Sequence, residues 1–247
     1  VIDLAKSSQL SLSDLFTRSL ACAAISPGLR SILVFDTTSE RLRLAAQNLA
    51  QMLKFVNGKK VTLVTLGTYE AEDDLWGSWA LGGSDKQSVQ WKPGLLTGDE
   101  NNSTLRLVVI PDLAKLSLAA ARACVVLMGA DVAHLERHGQ QAQWQPNLCW
   151  LAGCATSQVG MVSPHLLDRF ALRLMGQVPT NIDKVASIRE WIDDSLGKQI
   201  KLKPLPRNIS QHLKKALQIH PKITPQATTR ILDYIAWKCT VLVGKLL

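Results

Sequence analysis

Along the chain, short apolar runs alternate with stretches in which apolar residues recur every three to four positions. Residues 31–35 (SILVF), 61–66 (VTLVTL), 105–110 (LRLVVI), 147–152 (NLCWLA) and 170–175 (FALRLM) each read as a strand. Their nearly continuous apolar character suits strands covered on both faces, as in a parallel sheet. Residues 41–55, 113–128 and 164–169 carry helical spacing. The alternation predicts an α/β fold, a sheet wrapped by helices.

The pattern shifts after about residue 180. "TNIDKVASIREWIDDSLG" places Val185, Ile188, Trp191 and Ile192 at helical spacing behind a capping residue. "KLKPLPRN" holds Pro204 and Pro206 and reads as a connector. Two more helices follow, the last opening on Pro225, where a missing N–H does no harm. An α/β core over 1–180 and a small helical domain over 181–247 are therefore expected. Residues 67–104 form a long connection holding Trp76, Trp79 and Trp91. A stretch of that length inside a domain usually has structure of its own, so a short inserted helix or hairpin is expected. A second hairpin is expected over 130–145, with His134 and His138 near its tip as solvated polar residues rather than a metal pair. Trp144 and Trp150 read as packing groups.

Composition narrows the classes. No apolar run reaches the roughly 18 residues needed to cross a bilayer, and the opening residues lack the apolar core of a secretory signal. No membrane association is expected, and the location expected is the cytoplasm, or the stroma in a plastid-bearing organism. The five cysteines (Cys22, Cys124, Cys149, Cys154, Cys239) form no C-x-x-C pair. They read as buried free thiols rather than a metal site. The net charge of +8 is spread over helices and loops, and its densest stretch, Lys198 to Arg207, has no interleaved aromatics. A solvated surface is the expectation there, and a nucleic-acid partner is not.

One segment carries candidate chemistry. "LVFDTTSERLRLAAQNL", residues 33–49, has the strand, turn and helix of a nucleotide-binding loop, yet its turn holds neither glycine nor lysine. Four other stretches give the segment a context: "PGLL" at 93–96, "LERHG" at 135–139, "SPHLLDRFAL" at 163–172, and "EDDLWGSWALGGSDKQSVQWKPGLL" across the long connection. In order and spacing, over about residues 15–195, these resemble the AAA+ ATPase module of the magnesium chelatase family. That enzyme inserts Mg²⁺ into protoporphyrin IX in chlorophyll and bacteriochlorophyll synthesis. The family motifs set beside them read R-P-Q-L-L-D-R-F-G-L, V-E-R-E-G and G-T-x-D-I-E-x-A-L.

The resemblance implies a five-stranded parallel sheet of order 5-1-4-3-2 followed by a helical lid. It also assigns positions. The family's G-x-x-G-x-G-K-S loop, whose backbone cradles phosphates while Lys and Ser reach phosphate and Mg²⁺, falls on Asp36, Thr37, Thr38, Ser39, Glu40, Arg41, Leu42 and Arg43. Asp36 and Glu40 put negative charge where a polyphosphate would lie, and Leu42 replaces the lysine. The Asp-Glu pair that ends the third strand and serves Mg²⁺ and the attacking water falls on Pro111 and Asp112; Asp112 also reads as a helix cap. The Asn that senses the γ-phosphate falls on Thr156. Three parts of one active site are degraded together, so no ATPase activity of its own is expected.

What the resemblance leaves intact is Arg169, which in the family serves the ATP site of a neighbouring subunit; the alternative is that Asp168 and Arg169 brace a helix end. Glu136, Arg137, Asp168 and Arg169 are the expected interface residues. The pattern resembles the D subunit of magnesium chelatase more than the ATP-hydrolysing I subunit. It implies a partner of the I type in a hetero-oligomeric ring, with ATP and Mg²⁺ bound at the partner and neither bound directly by this chain. Two alternatives are a divergent NTPase working through Arg41, Arg43 and Asp112, and an inactive AAA+ subunit that handles nucleic acid.

Overall fold

The computed structural model describes residues 14–81, 89–98, 104–176, 205–219 and 222–233. These belong to two compact units, Val1–Leu213 and Lys214–Leu247. The helix expected within residues 180–197 lies outside the described residues.

The first unit is built on a five-stranded parallel sheet flanked by helices. Its strands are β1 (Ser31–Phe35), β2 (Thr62–Thr65), β5 (Arg106–Ile110), β8 (Leu148–Cys154) and β9 (Leu172–Met175). Two antiparallel hairpins take the remaining labels, β3 (Gly77–Leu81) with β4 (Val89–Pro93), and β6 (Ala133–Arg137) with β7 (Gln140–Trp144). Across the sheet the order is β2-β5-β8-β1-β9. With the hairpins set aside, the parallel strands run fifth, first, fourth, third, second, the order that the resemblance implies.

All seven residues of β8, at the centre, are buried, whereas the edge strand β2 buries only Val64. The period-two alternation of strands divides these apolar runs between two cores. Ile32, Val34, Leu107, Val109, Cys149 and Leu151 face one side, while Leu33, Val108, Ile110, Trp150 and Ala152 face the other. A run that looks uniform in sequence thus supplies both faces of a covered sheet.

On the first side pack α1 (Leu15–Ile25) and α2 (Ser39–Asn57). The cap of α1 is Asp14, whose carboxylate accepts from the Thr17 N–H at 3.0 Å. Leu42, Ala45, Ala46, Leu49, Ala50, Met52 and Leu53 form the buried stripe of α2. That helix stops at Gly58, in the left-handed conformation at φ 67°. The helix α6 (Arg207–Leu217) adds Ile209 and Leu213 to this core. On the second side lie α3 (Glu72–Trp76), α4 (Leu118–Leu127) and the short α5 (Pro164–Leu167).

The helix expected over 113–128 is shorter than its sequence pattern. Residues Leu113–Lys115 form a separate 3-10 turn capped by Asp112, and α4 starts afresh behind Ser117, whose hydroxyl accepts from the Ala120 N–H at 3.1 Å. The long connection contains both an inserted helix, α3, and a hairpin, β3–β4. Trp144 and Trp150 are buried. Of the cysteines, Cys124, Cys149 and Cys154 are buried free thiols, but Cys22 is exposed on the outer face of α1, a correction to the expectation that all are buried. Cys239 lies outside the described residues. In the second unit, residues 225–233 are helical and start at Pro225 as expected. Among the described residues no helix is long and apolar enough to cross a membrane.

Candidate functional site: the closed end of the sheet

Parallel α/β sheets bind ligands outside the carboxyl ends of their strands, and the sequence-derived nucleotide positions gather there. Strand β1 ends at Phe35 and α2 begins at Ser39, so only Asp36, Thr37 and Thr38 form the turn. A phosphate cradle needs a run of backbone N–H groups left free to point at the ligand. Here the helix absorbs that run. The Arg41 N–H donates to the Thr38 hydroxyl at 3.4 Å, and the Leu42 N–H donates to the Thr38 carbonyl at 2.9 Å. Ser39 and Glu40 lie exposed in the first turn of α2. Arg41 and Arg43 are half-buried on the same helix, and each already has a polar or electrostatic partner.

Asp36 adopts the left-handed backbone at φ 52°, a conformation that Asp and Asn tolerate better than most residues. Its N–H donates to the Cys154 carbonyl at 3.0 Å. Its carboxylate accepts twice from Thr156, from the hydroxyl at 2.6 Å and from the backbone N–H at 2.8 Å. The Thr156 hydroxyl first, and its N–H second, hold the Asp36 carboxyl below the ordinary carboxylate range. The turn after β1 and the segment after β8 are therefore bound to each other.

The space behind this clasp is filled. Leu42, at the lysine position, is 1% exposed and belongs to the first core. On β8, Gly153 is enclosed: a Cβ there would lie 2.7 Å from the Pro111 carbonyl oxygen, 3.2 Å from Leu42 Cδ2 and 3.5 Å from Thr37 Cγ2. The turn after β1, the first turns of α2 and the residue after β5 thus converge on one glycine. Asp112 is held as the cap of the 3-10 turn, accepting from the Ala114 N–H at 3.1 Å and pairing with Lys115 at 2.9 Å. Burial, then the nearby Asp112 and Asp36 carboxylates, raise the Cys154 thiol's pKa. A polyphosphate placed between β1 and α2 would meet the Asp36 carboxylate, and the turn offers it neither a lysine nor a glycine.

Arg169 is far from this end. It follows α5, whose Leu166 is buried, and precedes the buried Phe170. Two residues later, the Ala171 N–H donates to the Ser31 hydroxyl at 3.0 Å, at the opposite end of β1 from Asp36. Asp168 pairs with Arg173 at 3.4 Å, and Arg173 also donates to the Leu167 carbonyl at 3.0 Å. The exposed Arg169 guanidinium lies against Gly129, just past α4, closely enough that a Cβ on the glycine would collide with Nη1. Among the described residues Arg169 has no carboxylate partner.

The expected interface residues Glu136 and Arg137 lie on β6. Glu136 is exposed and accepts a long hydrogen bond from Gln141 at 3.5 Å. Arg137 reaches across to α3, pairing with Glu72 at 2.7 Å and Asp73 at 2.6 Å. His134 is exposed on the strand, whereas His138 forms the hairpin turn with Gly139. Among the described residues no cluster of His, Cys, Asp and Glu is arranged to hold a metal ion.

The sequence singles out Asp36, Leu42, Pro111 and Thr156, but not the bond between Asp36 and Thr156, nor Gly153 as the residue that Leu42 and Pro111 enclose. No protein-family model matches the chain, and no curated protein matches it.

Proposed function

We propose that this chain is a non-catalytic AAA+ subunit of the magnesium chelatase type, most like the D subunit. On this reading it docks on an active ATPase of the I type within a hetero-oligomeric ring and supports Mg²⁺ insertion into protoporphyrin IX. The parallel sheet and its strand order agree with this module, but the observation that carries the reading is the closed carboxyl end. Gly153 is enclosed by Pro111, Leu42 and Thr37, and Asp36 is clasped to Thr156. A subunit with that pocket acts through its surfaces.

Arg169 supports the second half of the reading. It is exposed, has no carboxylate partner among the described residues, and stands at the other end of the sheet from its own closed pocket. An arginine supplied to a neighbouring subunit's nucleotide stabilises charge that develops during phosphoryl transfer. The test is co-purification from the native cell, followed by ATPase assays on the recovered complex. Recovery of an active AAA+ ATPase whose turnover falls in an Arg169→Ala variant is the expected result. Recovery of no ATPase, or turnover indifferent to Arg169, would refute the proposal.

A further inference from the structure

The tip of the β6–β7 hairpin holds a residue in a costly conformation. His138 has φ 51° and is followed by Gly139 at φ 75°. Two-residue turns with both φ values positive favour Asn or Asp at the first position, and a residue kept there against preference points to a use for its side chain. One such use is visible: its ring Nε2 accepts from Arg137 Nε at 3.2 Å, while the backbone carbonyl of the same residue accepts from Trp79 Nε1 at 3.3 Å. The same ring lies 6.3 Å from the Trp91 ring, which meets Trp79 edge-on at 5.7 Å. Arg137 directs its other two nitrogens to Glu72 and Asp73. One turn therefore touches α3, β3 and β4 together.

Neither hairpin has much else to hold it. In β6–β7 only Ala133 and Trp144, at the base, are buried, and in β3–β4 only Gly77 is. A two-stranded hairpin is marginal alone. A single exposed ion pair adds little, but a forked arginine on two carboxylates, joined to an aromatic pair, is a network with defined geometry.

We propose that Arg137 and His138 form a latch that couples the two hairpins, so that they open and close as one arm. Both are positioning residues, and whatever grips one hairpin acts on the other. The inference is independent of the nucleotide reading.

Hydrogen exchange on the full chain tests it, read over 77–81 and 89–93 on one hairpin and 133–137 and 140–144 on the other. His138→Asn is the informative variant, because Asn suits the turn better than His. A residue serving only the turn would leave β3–β4 unchanged and slow exchange in β6–β7. The latch predicts exchange about three- to tenfold faster in β3–β4, where nothing was substituted, with β1, β5 and β8 unchanged. Arg137→Asp should accelerate both hairpins, and adding Asp73→Arg should restore protection. Unchanged exchange in β3–β4 in both single variants would overturn the proposal, as would acceleration confined to β6–β7.

Discussion

Asp36 and Thr156 are 120 residues apart in sequence, and the carboxylate of one accepts both the hydroxyl and the backbone N–H of the other. The bond ties the turn after β1 to the segment after β8, across the place where a parallel sheet ordinarily receives its ligand. With Leu42 buried beneath it and Gly153 enclosed, the end of the sheet is finished from within the chain.

The clasp makes a pH-dependent contribution of defined sign. A carboxyl whose folded pKa is depressed adds stability that is fully present above its unfolded value, about 4. That stability is lost as pH falls through the lower folded value. Asp36→Asn keeps a side chain that tolerates the left-handed backbone and removes the ionisation. Thermal midpoints measured from neutral to acid pH should therefore show wild type above the variant at neutral pH and the gap closing below pH about 4. A gap that stays constant with pH would contradict the assigned hydrogen bonds.

Gly153→Ala should be destabilising by about 1–3 kcal/mol, because the added methyl meets the Pro111 backbone rather than a side chain able to turn away. Gly160 has open space around its missing Cβ, so Gly160→Ala should stay within about 0.5 kcal/mol of wild type. Chemical denaturation of the two variants side by side separates steric enclosure from a general cost of losing glycine.

Arg169→Ala should leave the isolated chain's stability within about 0.5 kcal/mol of wild type, as expected for an exposed residue without an ion-pair partner among the described residues. In complex with the proposed ATPase partner the same change should lower turnover by about 10³-fold, the lower range for an arginine acting on phosphoryl transfer. Denaturation of the isolated chain and steady-state phosphate release by the complex give the two readings. Loss of stability without loss of turnover would assign Arg169 to bracing.

Burial pushes the Cys124 and Cys149 thiols up to about 12, so both stay protonated and covered near neutral pH. Cys22 is exposed. Peptide-resolved alkylation under native conditions should label Cys22 well before Cys124 and Cys149, which should react only on unfolding. Early labelling of Cys149 would be inconsistent with its place in the central strand.

The sheet was legible because its strands are continuous apolar runs, a pattern that burial on both faces imposes directly on sequence. Asp36, Leu42, Pro111 and Thr156 were singled out only through the resemblance to a family's motif positions. Their arrangement at the carboxyl end of the sheet was not legible. The Asp36–Thr156 bond joins distant segments, and the importance of Gly153 comes from three neighbours that no local window contains. Helix α1 was missed although Asp14, three residues before Thr17, is an ordinary capping signal. His138 is exposed at the hairpin tip as expected, but the bond from Trp79 to its carbonyl was not legible because the two lie 59 positions apart.

The most direct test of the central claim is calorimetric titration of the purified chain with ATP in the presence of Mg²⁺, run beside Leu42→Lys. The account predicts no binding up to millimolar nucleotide for wild type. It predicts none for the variant either, since a lysine placed at a position 1% exposed should destabilise the fold by at least the roughly 2–5 kcal/mol of a buried Leu→Ala change rather than rebuild a site. Saturable, Mg²⁺-dependent binding by wild type with phosphate release would contradict it.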